Sequence, residues 1–229
     1  MASFTKTSAK MSGADRREAI IVAARNVFIE KGFHGTTTRE LAKAASVSEA
    51  LMFKHFPSKD ELYLAIRRSC FKHEESKIHE MLEALDPSTR HLVLLVRALV
   101  SHVLEGRDEE TRLFFQLVVR SLMDEAEFTK LALQGGPAHW VKKVKECMEA
   151  ASRAGDMIDQ PTPSSLAGWL VHQLVSGIMV HSLPSETVVD YGVSQRELAK
   201  QVVWFSLRGM GVKEEAIGRY YGDEDICAI

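Results

Sequence analysis

The sequence predicts an all-α fold in which three short N-terminal helices form a helix-turn-helix unit and a larger helical domain follows. Three observations carry this reading. Apolar residues recur at helical spacing along most of the chain, and strand-like alternation is nearly absent. Helix-capping residues stand just ahead of the periodic runs, as at Thr37, Ser48 and Ser58. Breakers mark the ends of those runs: Gly32, Pro57, Pro87, Gly135-Gly136-Pro137, Gly155 and Pro184.

The first helix is expected from about Asp15 to Lys31, with Ile20, Ala24, Val27 and Phe28 as its apolar stripe and Gly32 as its stop. The second starts at Thr37 or Thr38. Thr37 and Glu40 have capping-box spacing, and Leu41, Ala42 and Ala45 face inward. The third opens on Ser48 and ends near Phe56, ahead of Pro57. The fourth starts at Ser58 with a second capping box to Glu61. It is expected to run unbroken to about Leu85, because nothing interrupts it before Asp86-Pro87. Helical runs follow at 89–105, 109–124, 125–134, 138–154, 164–183 and 194–209.

Composition narrows the function classes. Of 229 residues, 45% are apolar and 26% charged, which suits a globular chain of one or two domains. The most apolar stretch, Leu166 to Leu183, contains Gly168, His172, Gln173, Ser176, Gly177 and His181, so it reads as a buried helix and not a membrane span. No signal pattern opens the chain. Cys70, Cys147 and Cys227 lie far apart and are odd in number, which fits a reducing cytoplasm and no disulfide. No CxxC, HExxH, GxSxG or GxGxxG context occurs, and neither His73/His79 nor His172/His181 has the spacing of a helical metal pair. The expectation is therefore no enzyme, no metal and no cofactor. Charge is uneven: residues 1–72 hold 13 Lys/Arg and 7 Asp/Glu, a net of +6, and the rest hold 16 and 24, a net of −8. A basic front can meet phosphate while an acidic back keeps the chain dissolved.

The second and third helices are joined by Ala45-Ser46-Val47, a turn length that suits a helix-turn-helix. Val47, Met52 and Phe56 would point back at the first helix. The opposite face carries Ser48, Glu49, Leu51, Phe53, Lys54 and His55. Leu51 and Phe53 are apolar on an exposed short helix. Either they meet a thymine methyl or sugar edge, or they pack on the fourth helix. The hydroxyl and basic residues Thr38, Ser48, Lys54 and Lys59 cluster around this unit and point to DNA phosphates; a dimeric protein-interaction domain without sequence-specific DNA binding is the rival reading.

The stretch from Phe28 to Ala42 (FIEKGFHGTTTRELA), Ala45-Ser46-Val47-Ser48, and the stretch from Phe53 to Leu62 (FKHFPSKDEL) resemble the N-terminal domain of TetR-type repressors over about 50 residues in register. The resemblance implies a bacterial all-α homodimer whose third helix enters the major groove. It places the Thr38 hydroxyl at a phosphate, Ser48 as N-cap and contact, His55 at the backbone, and Lys59 as a phosphate clamp at the N-terminus of the fourth helix. The sequence departs from the family pattern where Ser46 replaces a turn glycine, Ala50-Leu51 replaces Gly-Thr, and Phe53 replaces a tyrosine. Glu49 brings a negative charge toward DNA unless it accepts from a cytosine amino group. The candidate DNA-facing set is Thr37, Thr38, Ser48, Glu49, Leu51, Phe53, Lys54, His55 and Lys59.

The resulting map is a flexible arm at 1–14, a helix-turn-helix domain at 15–60 with the fourth helix linking from 58, a helical effector-binding and dimerisation domain at 61–219, and a tail at 220–229. The runs 164–183 and 194–209 are too apolar for surface helices, and Gly168, Trp169, Ser176, Gly177, Val203, Phe205 and Ser206 are the candidate residues of a four-helix dimer interface. The span 89–154 is expected to enclose an apolar box for a small, largely apolar effector, with Arg97, Phe115, Gln116 and Trp140 as candidate contacts; the same aromatics could instead fill a core.

Overall fold

The computed structural model describes residues 11–71, 75–105, 109–124, 126–159, 161–186 and 188–222, with the side chains at 67, 70, 71 and 75–78 excepted. Helices account for about three quarters of it: α1 (Gly13–Lys31), α2 (Thr38–Ala44), α3 (Glu49–His55), α4 (Lys59–Phe71), α5 (Glu75–Ala84), α6 (Thr89–Val100), α7 (Glu109–Met123), α8 (Glu127–Gln134), α9 (Gly136–Arg153), α10 (Ser164–His181), α11 (Gln195–Met210) and α12 (Glu214–Tyr221). A π-helical turn, Ser101–Glu105, continues α6. Extended pairing among the described residues is a single bridge, Met157 to Val212.

Capping explains most of the boundaries. Ser12 accepts from the Asp15 amide while Asp15 answers the Ser12 backbone, so α1 starts at Gly13, inside the segment expected to be a flexible arm. Residues 1–10 lie outside the described residues. Gly136 opens α9 with Pro137 in its first turn, where a missing N–H costs nothing. The helix read as continuous from 58 to 85 is described as two stretches, α4 and α5, and 72–74 lie outside the description. The presumed tail is corrected at its start. Tyr220 and Tyr221 belong to α12, because Tyr221 packs its ring 5.8 Å from Trp204 and under the Arg97 guanidinium at 4.9 Å.

Two apolar clusters organise the chain. In the larger one α6 is central: Leu92, Val93, Leu95, Val96 and Val100 are buried around its circumference, so α9, α10, α11 and α12 pack about it. The smaller one joins Ile20, Ala24 and Phe28 of α1 to Leu41, Met52, Phe56, Leu62 and Ile66. It does not close on itself. Leu117 of α7 and Phe128 of α8 belong to it as well. A run of aromatic rings crosses the boundary, from Phe28 to Tyr63 (4.9 Å), Phe128 (5.5 Å), Phe114 (6.0 Å) and Phe115 (5.5 Å). Polar contacts reinforce the joint: Arg25 donates to both carboxylate oxygens of Glu110 at 2.6 and 3.1 Å, and the His34 amide donates to Asp124 at 3.2 Å.

In the α2–α3 turn Ser46 has φ +53, a left-handed conformation that a Cβ disfavours. Glycine would relieve that strain but has more freedom to lose from the unfolded chain. Ser46→Gly is therefore expected to stabilise the fold by only about 0.5–1 kcal/mol. Thermal unfolding checks this, and a lower midpoint would contradict it.

Candidate nucleic-acid interface

The N-terminal unit presents one face built from the starts of α2, α3 and α4. Thr37 caps α2. Its hydroxyl accepts from the Glu40 amide at 3.3 Å, and Glu40 accepts from the Thr37 amide at 2.9 Å and hydroxyl at 2.8 Å. Lys31 pairs with the same carboxylate. The Lys31 ammonium first, then the Thr37 amide and hydroxyl, hold Glu40 down to about 2. A lowered pKa means that this support is complete above the ordinary carboxylate range and is lost as pH falls toward about 2. The Lys31–Glu40 pair is open to solvent on one side, so the contribution is small.

Ser48 caps α3, accepting from the Leu51 amide at 3.1 Å. Met52 and Phe56 are buried at 1% and 2% exposure, as their spacing predicts, and the Arg17 guanidinium covers the Phe56 ring at 4.7 Å. On the other face Ser48, Glu49, Phe53 and Lys54 are exposed, while Leu51 and His55 are half-buried. Phe53, at 41% exposure, is a bare aromatic on the outer face of the helix. Ser48, Glu49, Phe53 and Lys54 are thus accessible on α3.

Two of these side chains have additional work. The Thr38 hydroxyl donates to Glu49 at 2.9 Å, joining the start of α2 to the start of α3. Glu49 is held by this contact. The Lys59 ammonium donates to the carbonyls of Phe33 (2.8 Å) and Thr36 (3.1 Å) and lies 4.3 Å from the centre of the Phe33 ring. Two of its three N–H bonds therefore hold the α1–α2 loop against α4, which leaves one for a phosphate. Arg39, exposed in the first turn of α2, was not singled out by sequence reasoning; its place between the capping residues Thr37 and Glu40 was the available signal.

The late helices divide the predicted interface residues. Gly168 is buried against Val141 of α9, where an added Cβ would lie 3.2 Å from a valine methyl, so its small size serves packing within the chain. Trp169 packs on the large core beside His172, and Val203 is 3% exposed. Gly168 and Val203 are thus occupied in packing within the chain, where α10 and α11 cover α6 and α9, while Trp169 is half-buried. Gly177 has open space at its Cβ position, and Ser176 is half-buried. Phe205 is 67% exposed, with Leu166 and Leu170, which the sequence reading passed over, beside it in exposure at 48% and 52%. An apolar groove of about 190 Å³ runs between α10 and α11, lined by Leu170, Val171, Leu174, Phe205 and the buried Ser206.

The expected effector contacts are not gathered in one place. Phe115 and Trp140 are core side chains, and the Trp140 indole donates to the Leu95 carbonyl at 3.2 Å. Gln116 is half-buried on α7. Arg97 instead lines a cavity of about 520 Å³ between α6, α11 and α12.

Residues 20–66 match the family described as bacterial regulatory proteins, tetR family. The chain is similar to the HTH-type transcriptional activator FasR of Mycolicibacterium smegmatis, with 30% identity over 102 residues, 44% of this chain and 46% of that one. It is also similar to the HTH-type transcriptional regulator RutR of Escherichia coli, with 42% identity over 65 residues, 28% of this chain and 31% of that one. The chain thus spans less than half the length of either relative in these matches. In fold it is similar to NalD of Pseudomonas aeruginosa, described as the secondary repressor of the MexAB-OprM multidrug efflux pump, with a TM-score of 0.64 and 21% identity over 87% of this chain and 98% of that one.

Proposed function

The N-terminal domain of the chain, residues 20–66, matches the tetR family, and on that premise we propose that the protein is a ligand-responsive transcriptional repressor that binds a palindromic operator as a homodimer in the cytoplasm. The observation that carries the DNA reading is the exposed face of α3, where Ser48, Leu51, Phe53, Lys54 and His55 stand on a helix whose opposite side is locked into the core by Met52 and Phe56. A helix held this way can enter a major groove without rearranging. Phosphate contacts supply most of the affinity, and Leu51 and Phe53 offer apolar surface to thymine methyls. Repression needs only occupation of a site that overlaps a promoter, and it requires no further surface.

Dimerisation would come from the Phe205–Leu170 face, since two operator half-sites ask for two recognition helices related by a two-fold axis. The shared core and the Arg25–Glu110 and His34–Asp124 contacts would carry an effector's influence to the N-terminal unit. A ligand shifts the equilibrium only by its difference in affinity between the two states, and DNA must weaken ligand binding by the same factor.

The test is selection of binders from a random DNA pool, followed by anisotropy titrations at several salt concentrations. Lys54, exposed and without a partner among the described residues, should act as a phosphate contact alone. Lys54→Ala is expected to weaken all sequences alike and lower the salt slope by about 1, with thermal stability unchanged. Lys59→Ala should weaken binding and also lower the unfolding midpoint, because the Phe33 and Thr36 carbonyls lose their donor. Leu51→Ala should chiefly change base preference. Failure to enrich any palindrome, or identical salt slopes in all three variants, would overturn the DNA reading.

A further inference from the structure

The 520 Å³ cavity between α6, the π-helical turn, α11 and α12 has an unusual lining for a chain of net charge −2. Three cations line it, Arg97, Arg196 and Lys200, together with Tyr221. Arg196 and Lys200 have no ion-pair partner among the described residues. Two acids stand at its edge, Glu105 accepting from the Ser101 hydroxyl and Glu197 from the Gln201 amide at 2.7 Å, so the charged lining is three cations against two carboxylates. Val100, Ala199 and Val203 form a buried apolar floor.

Other features mark the same place. The segment Ser101–Glu105 departs from α-helical geometry where it borders the cavity. The Gln195 amide fixes the start of α11 to the Leu104 carbonyl of that turn. The N-terminus of α11, capped by Ser194, turns its partial positive charge into the cavity. Burial pushes the Tyr221 phenol up, so it stays protonated and donates. Arg196 and Phe205 are nine residues apart on α11, about half a turn out of phase, so pairing through Phe205 leaves the cavity open.

We propose that this cavity binds the anionic head of a small organic amphiphile, with Arg97, Arg196, Lys200 and Tyr221 as donors and the short apolar portion on Val100, Ala199 and Val203. This deepens the effector part of the reading above by naming the ligand class and moving the site away from Phe115 and Trp140. Forked guanidinium donors fit a carboxylate or a phosphate, and the volume lies within the range of small-molecule sites.

The experiment titrates the full chain, without DNA, with octanoate, octyl phosphate and octanol, three probes sharing one tail. Both anions should bind, or one should, and octanol should bind at least about tenfold more weakly. The preferred head decides between carboxylate and phosphate. Arg196→Gln/Lys200→Gln should weaken the anions by about tenfold or more. Lys200→Gln alone, at an exposed position, gives the same direction without risk to the fold. Equal affinity for octanol, unchanged anion affinity in both variants, or no binding of either anion at low-millimolar concentration would overturn the assignment. Operator binding measured separately on the same preparations distinguishes loss of this site from loss of the DNA reading.

Discussion

A Phe205→Glu chain should remain folded, run as a monomer in light scattering, and lose operator affinity by about a hundredfold or more. Phe205 is 67% exposed, so nothing inside one chain depends on its ring. It sits beside the groove that also takes Leu170 and Ser206, with Leu166 exposed on the same helix as Leu170. In a two-fold interface each residue counts twice. Each ring would bury on the order of 150 Å², and at about 25 cal/mol per Å² the pair contributes roughly 7 kcal/mol at most. Two carboxylates placed in the same apolar seam remove that gain and add a desolvation cost. A monomer offers one α3 to an operator with two half-sites and forfeits the joint binding. A dimeric mass for the variant at micromolar concentration would place the interface elsewhere.

Gly35→Ala should be among the most damaging single changes in the N-terminal unit. A Cβ at Gly35 would lie 2.3 Å from the Lys31 carbonyl oxygen, which is backbone at the end of α1 and cannot rotate away. The loop it would disturb is tightly bonded: the Thr36 hydroxyl donates to the Gly32 carbonyl at 2.6 Å, Lys59 holds Phe33 and Thr36, and the His34 amide reaches Asp124. Overpacking of this kind costs about 2–3 kcal/mol, which for a chain of this size lowers the unfolding midpoint by roughly 5–10 °C. DNA affinity should fall with it, because the loop sets where α2 and α4 start. Gly13→Ala is the control. Its Cβ would meet nothing within 4 Å, and its midpoint should not fall. A Gly35→Ala midpoint equal to that of Gly13→Ala would show that the loop relaxes without cost.

The local signals were legible because their physics is local. Thr37, Ser48 and Ser58 accept from amides three residues on, and the Met52–Phe56 spacing alone fixes which side of α3 is buried. What the sequence hid depends on partners distant in the chain. Nothing around Gly168 announces that Val141 will lie against it, so its small size read equally well as an interface feature. The second task of Lys59, holding the loop, was hidden because the two carbonyls it holds are 23 and 26 residues upstream. Phe115 and Trp140 had the composition of a pocket wall, but composition does not reveal whether a neighbour fills the space. Arg97 stood out as a polar group near apolar residues, while its company of Arg196, Lys200 and Tyr221 depends on the packing of α11 and α12 on α6.

The shared core has a consequence for how this protein can be dissected. A fragment ending after residue 66 would expose Tyr63 and the apolar surface that Leu117 and Phe128 now cover, and would strand Arg25 without Glu110. Such a fragment should melt early and aggregate readily, in the way an unfinished interior does. The N-terminal unit is therefore no detachable reading head that could be grafted onto another scaffold. In calorimetry the intact chain should unfold in one transition spanning both clusters, and a separate early transition from the first 66 residues would show that the joint is weaker than its packing implies.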